Sequence, residues 1–114
     1  MRKEDVSFIR KGEGKDLVFL HGYLSSKEAF LPFLDYFSGR YRVTAFDFCG
    51  FGQSAPLTSP FSVSDYAAWT GETFRLLGIE KPYCIAHSFG CRVAVKMQAI
   101  APFGKEIFDK MIFT

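Results

Sequence analysis

Ser88 stands at the centre of AHSFG (residues 86–90), with small residues two before and two after it and an apolar run directly upstream. That spacing is a relaxed form of G-x-S-x-G, in which a sharp strand-to-helix turn holds a serine hydroxyl clear of the backbone for nucleophilic attack. Ala86 replaces the usual glycine at the first small position; Gly90 fills the second. A helix opening behind the serine would direct its first N–H groups at a developing oxyanion. The plainer alternative makes Ser88 a helix N-cap. A serine hydroxyl is a poor nucleophile until a base takes its proton, and His21 and His87 are the only histidines in the chain.

Other reactive residues point to less. Cys49, Cys84 and Cys91 lack the paired spacing of a zinc site or a CxxC redox motif, and read as free thiols in a reducing compartment. No metal and no cofactor is expected. GFGQSA (50–55) follows an apolar β-type run and formally matches G-x-G-x-x-A, but Pro56 and Pro60 come next, so it opens no helix whose N-terminus could hold a pyrophosphate.

The elements that would position Ser88 alternate regularly. DLVFLHG (16–22) is a continuous apolar run ending at glycine, the pattern of a strand buried on both faces. SSKE offers Ser25 as an N-cap with Glu28 three residues on, followed by Phe30, Leu31, Leu34 and Phe37 at helical spacing and Gly39 as a stop; Pro32 leaves the start of this helix open by a few residues. YRVTAFDF (41–48) is a second strand running into a glycine-rich turn. Ser62 with Asp65 opens a second helix, whose apolar stripe runs from Val63 to Leu77 before Gly78. KPYCIAHS, FGCRVAVKMQAIAP and DKMIFT give a third strand, a third helix and a fourth strand, and VSFIRKG adds an edge strand. Such alternation predicts an α/β fold: three αβα layers around a mainly parallel sheet, with any ligand at the carboxyl ends of the strands.

Composition bounds the reading. One domain of 114 residues, 48% hydrophobic and 23% charged, suits a globular protein, while 14 phenylalanines are a heavy apolar load that hints at a missing partner surface. The net charge of +2 comes from 14 basic and 12 acidic residues scattered along the chain, so no nucleic-acid or membrane partner is expected. No signal-like segment and no run near the roughly 18 residues of a membrane span occurs, and a cytoplasmic location is expected.

LVFLHGYLSS, DFCGFGQS and AHSFG, in this order, resemble the N-terminal half of the α/β-hydrolase superfamily, and the likeness runs from about Ser7 to the end of the chain. The resemblance implies a serine hydrolase acting on a small ester-like acyl substrate: Ser88 as nucleophile, and the backbone N–H groups of Tyr23 and Phe89 as the oxyanion hole. It makes His21 and Gly22 part of the oxyanion loop, with His21 bracing that loop, and Asp47, Gly50, Gly52 and Ser54 a structural turn beside the pocket. Serine at this position turns the reading away from the dehalogenase and epoxide hydrolase branches.

In that family the acid and then the histidine follow the serine. Here both histidines precede it, and Glu106 and Asp109 sit before the last strand, at its amino end, where they read as solvated loop charges. The expectation is therefore a truncated hydrolase domain over residues 1–114, without its acid, lid and catalytic histidine, and with little activity by itself. The rival expectation is a non-catalytic, hydrolase-like scaffold or binding protein. A first-helix face left uncovered beside an open last strand would favour self-association.

Overall fold

A computed structural model describes residues 1–114. Five strands form one sheet: β1 (Phe8–Lys11), β2 (Lys15–Leu20), β3 (Tyr41–Phe46), β4 (Tyr83–Ala86) and β5 (Lys110–Phe113). Their spatial order is β1-β3-β2-β4-β5. β1 runs antiparallel to β3, and every other pairing is parallel. β2, β3 and β4 therefore all end on the same side of the sheet, and the loops that follow them meet there.

The sheet separates two apolar layers by strict alternation. Leu17 and Phe19 of β2, with Val43 and Ala45 of β3, pack with Phe30 and Leu34 on the side of α1 (Leu31–Phe37). Val18, Leu20, Phe46, Cys84 and Ala86 pack on the opposite side against α2 (Val63–Leu77) and α3 (Phe89–Ala99), where Tyr66, Phe74, Val93 and Met97 complete the larger cluster. A one-residue slip in any strand would exchange these two sets, so the register is fixed by burial.

α2 forms as its sequence requires. The Ser62 hydroxyl accepts from Asp65 N–H at 3.1 Å, and the Asp65 carboxylate accepts from Ser62 N–H at 2.8 Å. At the other end Gly78 takes φ +66°, and Ile79 N–H closes on Phe74 O at 2.8 Å.

α1 departs from expectation. No capping box forms at Ser25: a 3₁₀ turn spans Lys27–Phe30 after Ser26, whose side chain caps nothing, and Glu28 is drawn to Lys27 Nζ at 2.9 Å instead. An ion pair with a buried ammonium outcompetes a reciprocal backbone cap. The α-helix begins only at Leu31, placing Pro32 in the first turn, where its missing N–H leaves no bond unmade. It ends at Phe37 with Ser38 as its C-cap, just before Gly39, which does not take the positive φ of a glycine cap.

The two sides of the sheet are unequally covered. Beside α1 lies a trough of about 630 Å³ lined by Leu17, Phe37, Tyr83, Ile85 and Ile112 among others. All four residues of β5 are exposed, Ile112 to 59%. No helix is long and apolar enough to cross a membrane. We propose that this trough and the free edge of β5 support self-association. Sedimentation of the 114-residue chain is expected to give a mean mass above the 12.9 kDa monomer that rises with concentration, and Ile112→Lys to return it toward the monomer. A 12.9 kDa species at every concentration that melts cooperatively in calorimetry would overturn this.

Candidate active site

β4 ends at Ala86 and α3 begins at Phe89, leaving two residues to reverse the chain. Ser88 takes the second position with φ +51° and ψ −113°, and its side chain makes no cap bond. A non-glycine residue held there costs about 1–3 kcal/mol. The N-cap reading is therefore not the arrangement found: the backbone is forced into a tight corner, Ser88 is exposed, and its hydroxyl has no hydrogen-bond partner in the chain.

Close packing behind the turn enforces the corner. A Cβ on Gly90 would lie 2.8 Å from Leu20 C and 2.9 Å from His21 O, so only glycine lets the first turn of α3 press on the end of β2. Ala86 is fully buried, in register with Leu20 on one side and Phe113 on the other. Gly22 completes the approach: a Cβ there would sit 3.5 Å from Ser88 Cβ and 3.2 Å from His87 Cδ2. Residues 21–23 and 87–89, far apart in sequence, thus meet at one point.

Two N–H groups are left without acceptors at that point. Tyr23 N–H bonds to nothing in the chain, and Phe89, as the first residue of α3, has no intrahelical acceptor for its N–H. Tyr23 is 66% exposed, and its ring stands edge-on to Phe51 at 5.5 Å and to Phe89 at 6.0 Å. Phe89 in turn packs edge-on to Phe48 and Tyr66. Tyr23, Phe51, Phe89, Phe48 and Tyr66 thus form one connected set of rings around residues 23 and 89.

His21 is fully buried, and both its ring nitrogens are committed to backbone. Nε2 accepts from Phe48 N–H at 3.0 Å, so the proton sits on Nδ1, which donates to Gly22 O at 2.7 Å. Burial lowers its pKa, outweighing the contact with Gly22 and the nearby Asp47 and Glu28 carboxylates. The ring ties the loop after β2 to the loop after β3.

Asp47, fully buried one residue beyond β3, organises the second of these loops. Its carboxylate accepts from Lys27 N–H at 2.7 Å, Lys27 Nζ at 2.9 Å and Gln53 N–H at 2.9 Å. A Cβ on Gly52, which has φ +52°, would strike that carboxylate; Gly50 turns at φ +84° and donates to Ala55 O at 2.9 Å. Ser54 Oγ donates to Asp47 O at 2.6 Å and accepts from Ser7 N–H at 3.0 Å. This segment continues into turns and an extended stretch as far as Val63, with no helix at residues 50–55 to hold a dinucleotide.

Lys27 is the residue the sequence reading missed. Its side chain is 5% exposed, a rare place for an ammonium, and the available signal was the carboxylate at Asp47, which needs a cation once the strand end is buried. The side chains of the remaining candidates make no hydrogen bond to Ser88. His87 Nδ1 bonds Thr114 Oγ1 at 2.9 Å. Asp109 pairs with Lys15 at 2.9 Å and Glu106 lies 3.7 Å from Lys81, both before β5 and thus at the opposite end of the sheet. Burial raises the pKa of the Cys49 and Cys84 thiols and keeps them protonated.

The chain resembles known proteins throughout this region. Residues 16–114 match the family model of the alpha/beta hydrolase fold. Over 95 residues the chain is 30% identical to the (E)-2-((N-methylformamido)methylene)succinate hydrolase of Acinetobacter baylyi, covering 83% of this chain and 36% of that enzyme. It is 39% identical over 75 residues to an uncharacterized carboxylesterase of Bacillus subtilis, covering 65% of this chain and 25% of that protein. The structure of a marine microorganism esterase superposes with a TM-score of 0.85 at 26% identity, over 95% of this chain and 40% of that one. The chain thus spans well under half the length of each. With the family model matching from β2 to the last residue and the parallel sheet carrying the same architecture, the chain belongs to the α/β-hydrolase fold family.

Proposed function

We propose that this chain carries the nucleophile and the oxyanion hole of a serine hydrolase acting on carboxylic esters. The observation that carries the reading is the backbone of Ser88, held at φ +51° in a strand-to-helix turn beside Gly22. In the reaction Ser88 Oγ loses its proton to a base and adds to the carbonyl carbon. The carbonyl electrons move onto oxygen, where the N–H groups of Tyr23 and Phe89 receive the charge. Collapse expels the alcohol, which takes up the proton, and water then hydrolyses the acyl-enzyme. Removing one such donor in related chemistry costs about 2.7–4 kcal/mol of barrier.

On this reading the base is supplied from outside these 114 residues. His21 has its Nε2 lone pair occupied by Phe48 N–H, and the His87 ring is turned onto Thr114. We therefore read residues 1–114 as the N-terminal part of a hydrolase domain that has its acid, lid and catalytic histidine elsewhere. The free thiols of Cys49, Cys84 and Cys91 favour a cytoplasmic setting. The aromatic wall of Tyr23, Phe51 and Phe89 suits an apolar acyl group. Lys27, four residues beyond Tyr23, is already neutralised by Asp47 and Glu28 and offers nothing to a substrate carboxylate. The competing reading is a non-catalytic scaffold, and it draws on the same fact that the Ser88 hydroxyl has no partner.

Treatment with a fluorophosphonate, followed by intact mass and with Ser88→Ala as control, tests whether the 114 residues activate Ser88 by themselves. With the base outside the chain, no adduct and no ester turnover above the Ser88→Ala background are expected from the 114 residues alone. A stoichiometric adduct lost in Ser88→Ala would show that Ser88 is activated from within the chain or by a second copy.

His21 makes a separate prediction for stability. Its folded pKa lies below the ordinary 6.5, so the unfolded ring takes up a proton that the folded ring refuses. The stabilisation is present above pH 6.5 and is lost as pH falls from there toward the folded value. Melting temperatures measured between pH 7.5 and 5 should fall for the native chain. His21→Asn should be less stable at neutral pH, by about 1–3 kcal/mol for the buried Phe48 N–H it leaves unsatisfied, and should show a flatter pH profile. A native profile as flat as that of the variant would sink the argument.

A further inference from the structure

We propose that Lys27 is a positioning residue: its ammonium, locked between Asp47, Glu28 and Gln53, fixes the far end of the loop that presents Tyr23 N–H to Ser88. The assignment rests on reading residues 22–26 as the oxyanion loop, and its test is chosen to stand apart from that reading.

An ammonium has three protons to place. Lys27 Nζ lies 2.9 Å from Asp47 Oδ2, 2.9 Å from Glu28 Oε2 and 3.3 Å from Gln53 Oε1, so all three are directed. The main chain of the same residue is fixed as well, because Lys27 N–H donates to Asp47 Oδ1 at 2.7 Å. One carboxylate thus holds both backbone and side chain of Lys27. Asp47 is itself anchored by Gln53 N–H, and its own N–H donates to Ser7 O at 3.0 Å, so the clamp is seated on rigid structure.

The loop between the anchors needs such a clamp. At its near end His21 Nε2 holds Phe48 N–H, next to Asp47 in sequence. At its far end stands the Lys27–Asp47 pair. Both ends of the 22–26 loop are therefore pinned to the same short segment after β3. Within the loop Leu24 adopts φ +58°, a conformation that leucine avoids and that persists only where the surroundings over-determine it. The side chains inside give hold on one side alone: Leu24 is 81% exposed, and Tyr23, 66% exposed, meets the rings of Phe51 and Phe89. The internal backbone bond available is Ser25 N–H to Gly22 O, at 3.2 Å.

A buried ion pair is a poor device for stability alone, since well-packed apolar residues of similar volume serve as well or better. It is a good device for geometry, because a displaced ammonium leaves a buried carboxylate unpaired. Burial by itself would lower the pKa of Lys27, but its bonds to Glu28 and Asp47 prevail and raise it, so the clamp stays charged through the neutral range.

Amide hydrogen exchange measured by NMR tests this without any chemistry at Ser88. In Lys27→Met the Ser25 amide is expected to lose protection by about tenfold or more relative to the amides of β2 and β3, and Lys27→Arg to recover part of it. Lys27→Gln, which keeps a hydrogen bond to Asp47 without the charge, is the milder variant to read should Lys27→Met not fold. Unchanged protection at Ser25, or an equal loss across Ser25, β2 and β3, would overturn the proposal and leave Lys27 a merely structural ion pair. Local loss at Ser25 supports the clamp whatever the fluorophosphonate does, so failure of the clamp and failure of the nucleophile reading are separable.

Discussion

The approach of α3 to the end of β2 is the contact on which the rest depends. Gly90 has no Cβ, and the backbone of Leu20 and His21 occupies the space one would need. Because α3 can sit so close, the chain must turn within two residues of β4, and that turn drives Ser88 to positive φ. The same approach sets Gly22 against Ser88. A larger residue at position 90 would lift the helix, relax the serine and open the gap between the two loops at once.

Polar groups, not apolar ones, hold those loops. The core on the α2 and α3 side is continuous and aromatic, but it stops at the strand ends, where backbone groups must find other partners. His21 accepts one N–H, and Asp47 accepts two more together with an ammonium. The His21 ring and the Asp47 carboxylate each have their partners, so these loops can be both polar and rigid. The α1 side differs: its smaller cluster leaves a trough open along β4 and β5, so the sheet is well covered on one face and partly bare on the other.

How far each element could be read depended on whether its determinants were local. The Ser62–Asp65 box and Gly78 act within a few residues, and α2 could be read nearly whole from them. The buried strands announced themselves as apolar runs, and AHSFG marked the turn because Ala86 and Gly90 must both be small. α1 was misplaced because Glu28 looked like a capping partner when its true partner, Lys27, is set by Asp47, twenty residues away. Lys27 itself carried no mark, because a lysine in a polar stretch looks solvated until the fold encloses it. Local rules fail where a distant charge wins.

The same distinction explains how the corner at Ser88 can be well formed while neither histidine of the chain is bonded to its hydroxyl. The turn needs a strand, a helix and two small residues, all of them within twenty residues of the serine or paired to it by β2. Activation of the hydroxyl needs an imidazole with a free lone pair aimed at Oγ. His21 cannot be recruited without releasing Phe48 N–H into a buried site, and burial lowers the pKa of its ring. Geometry and reactivity at this serine are therefore separately encoded. The first belongs to β4, α3 and Gly90, whereas the Nε2 lone pair of His21 belongs to Phe48 in the neighbouring loop.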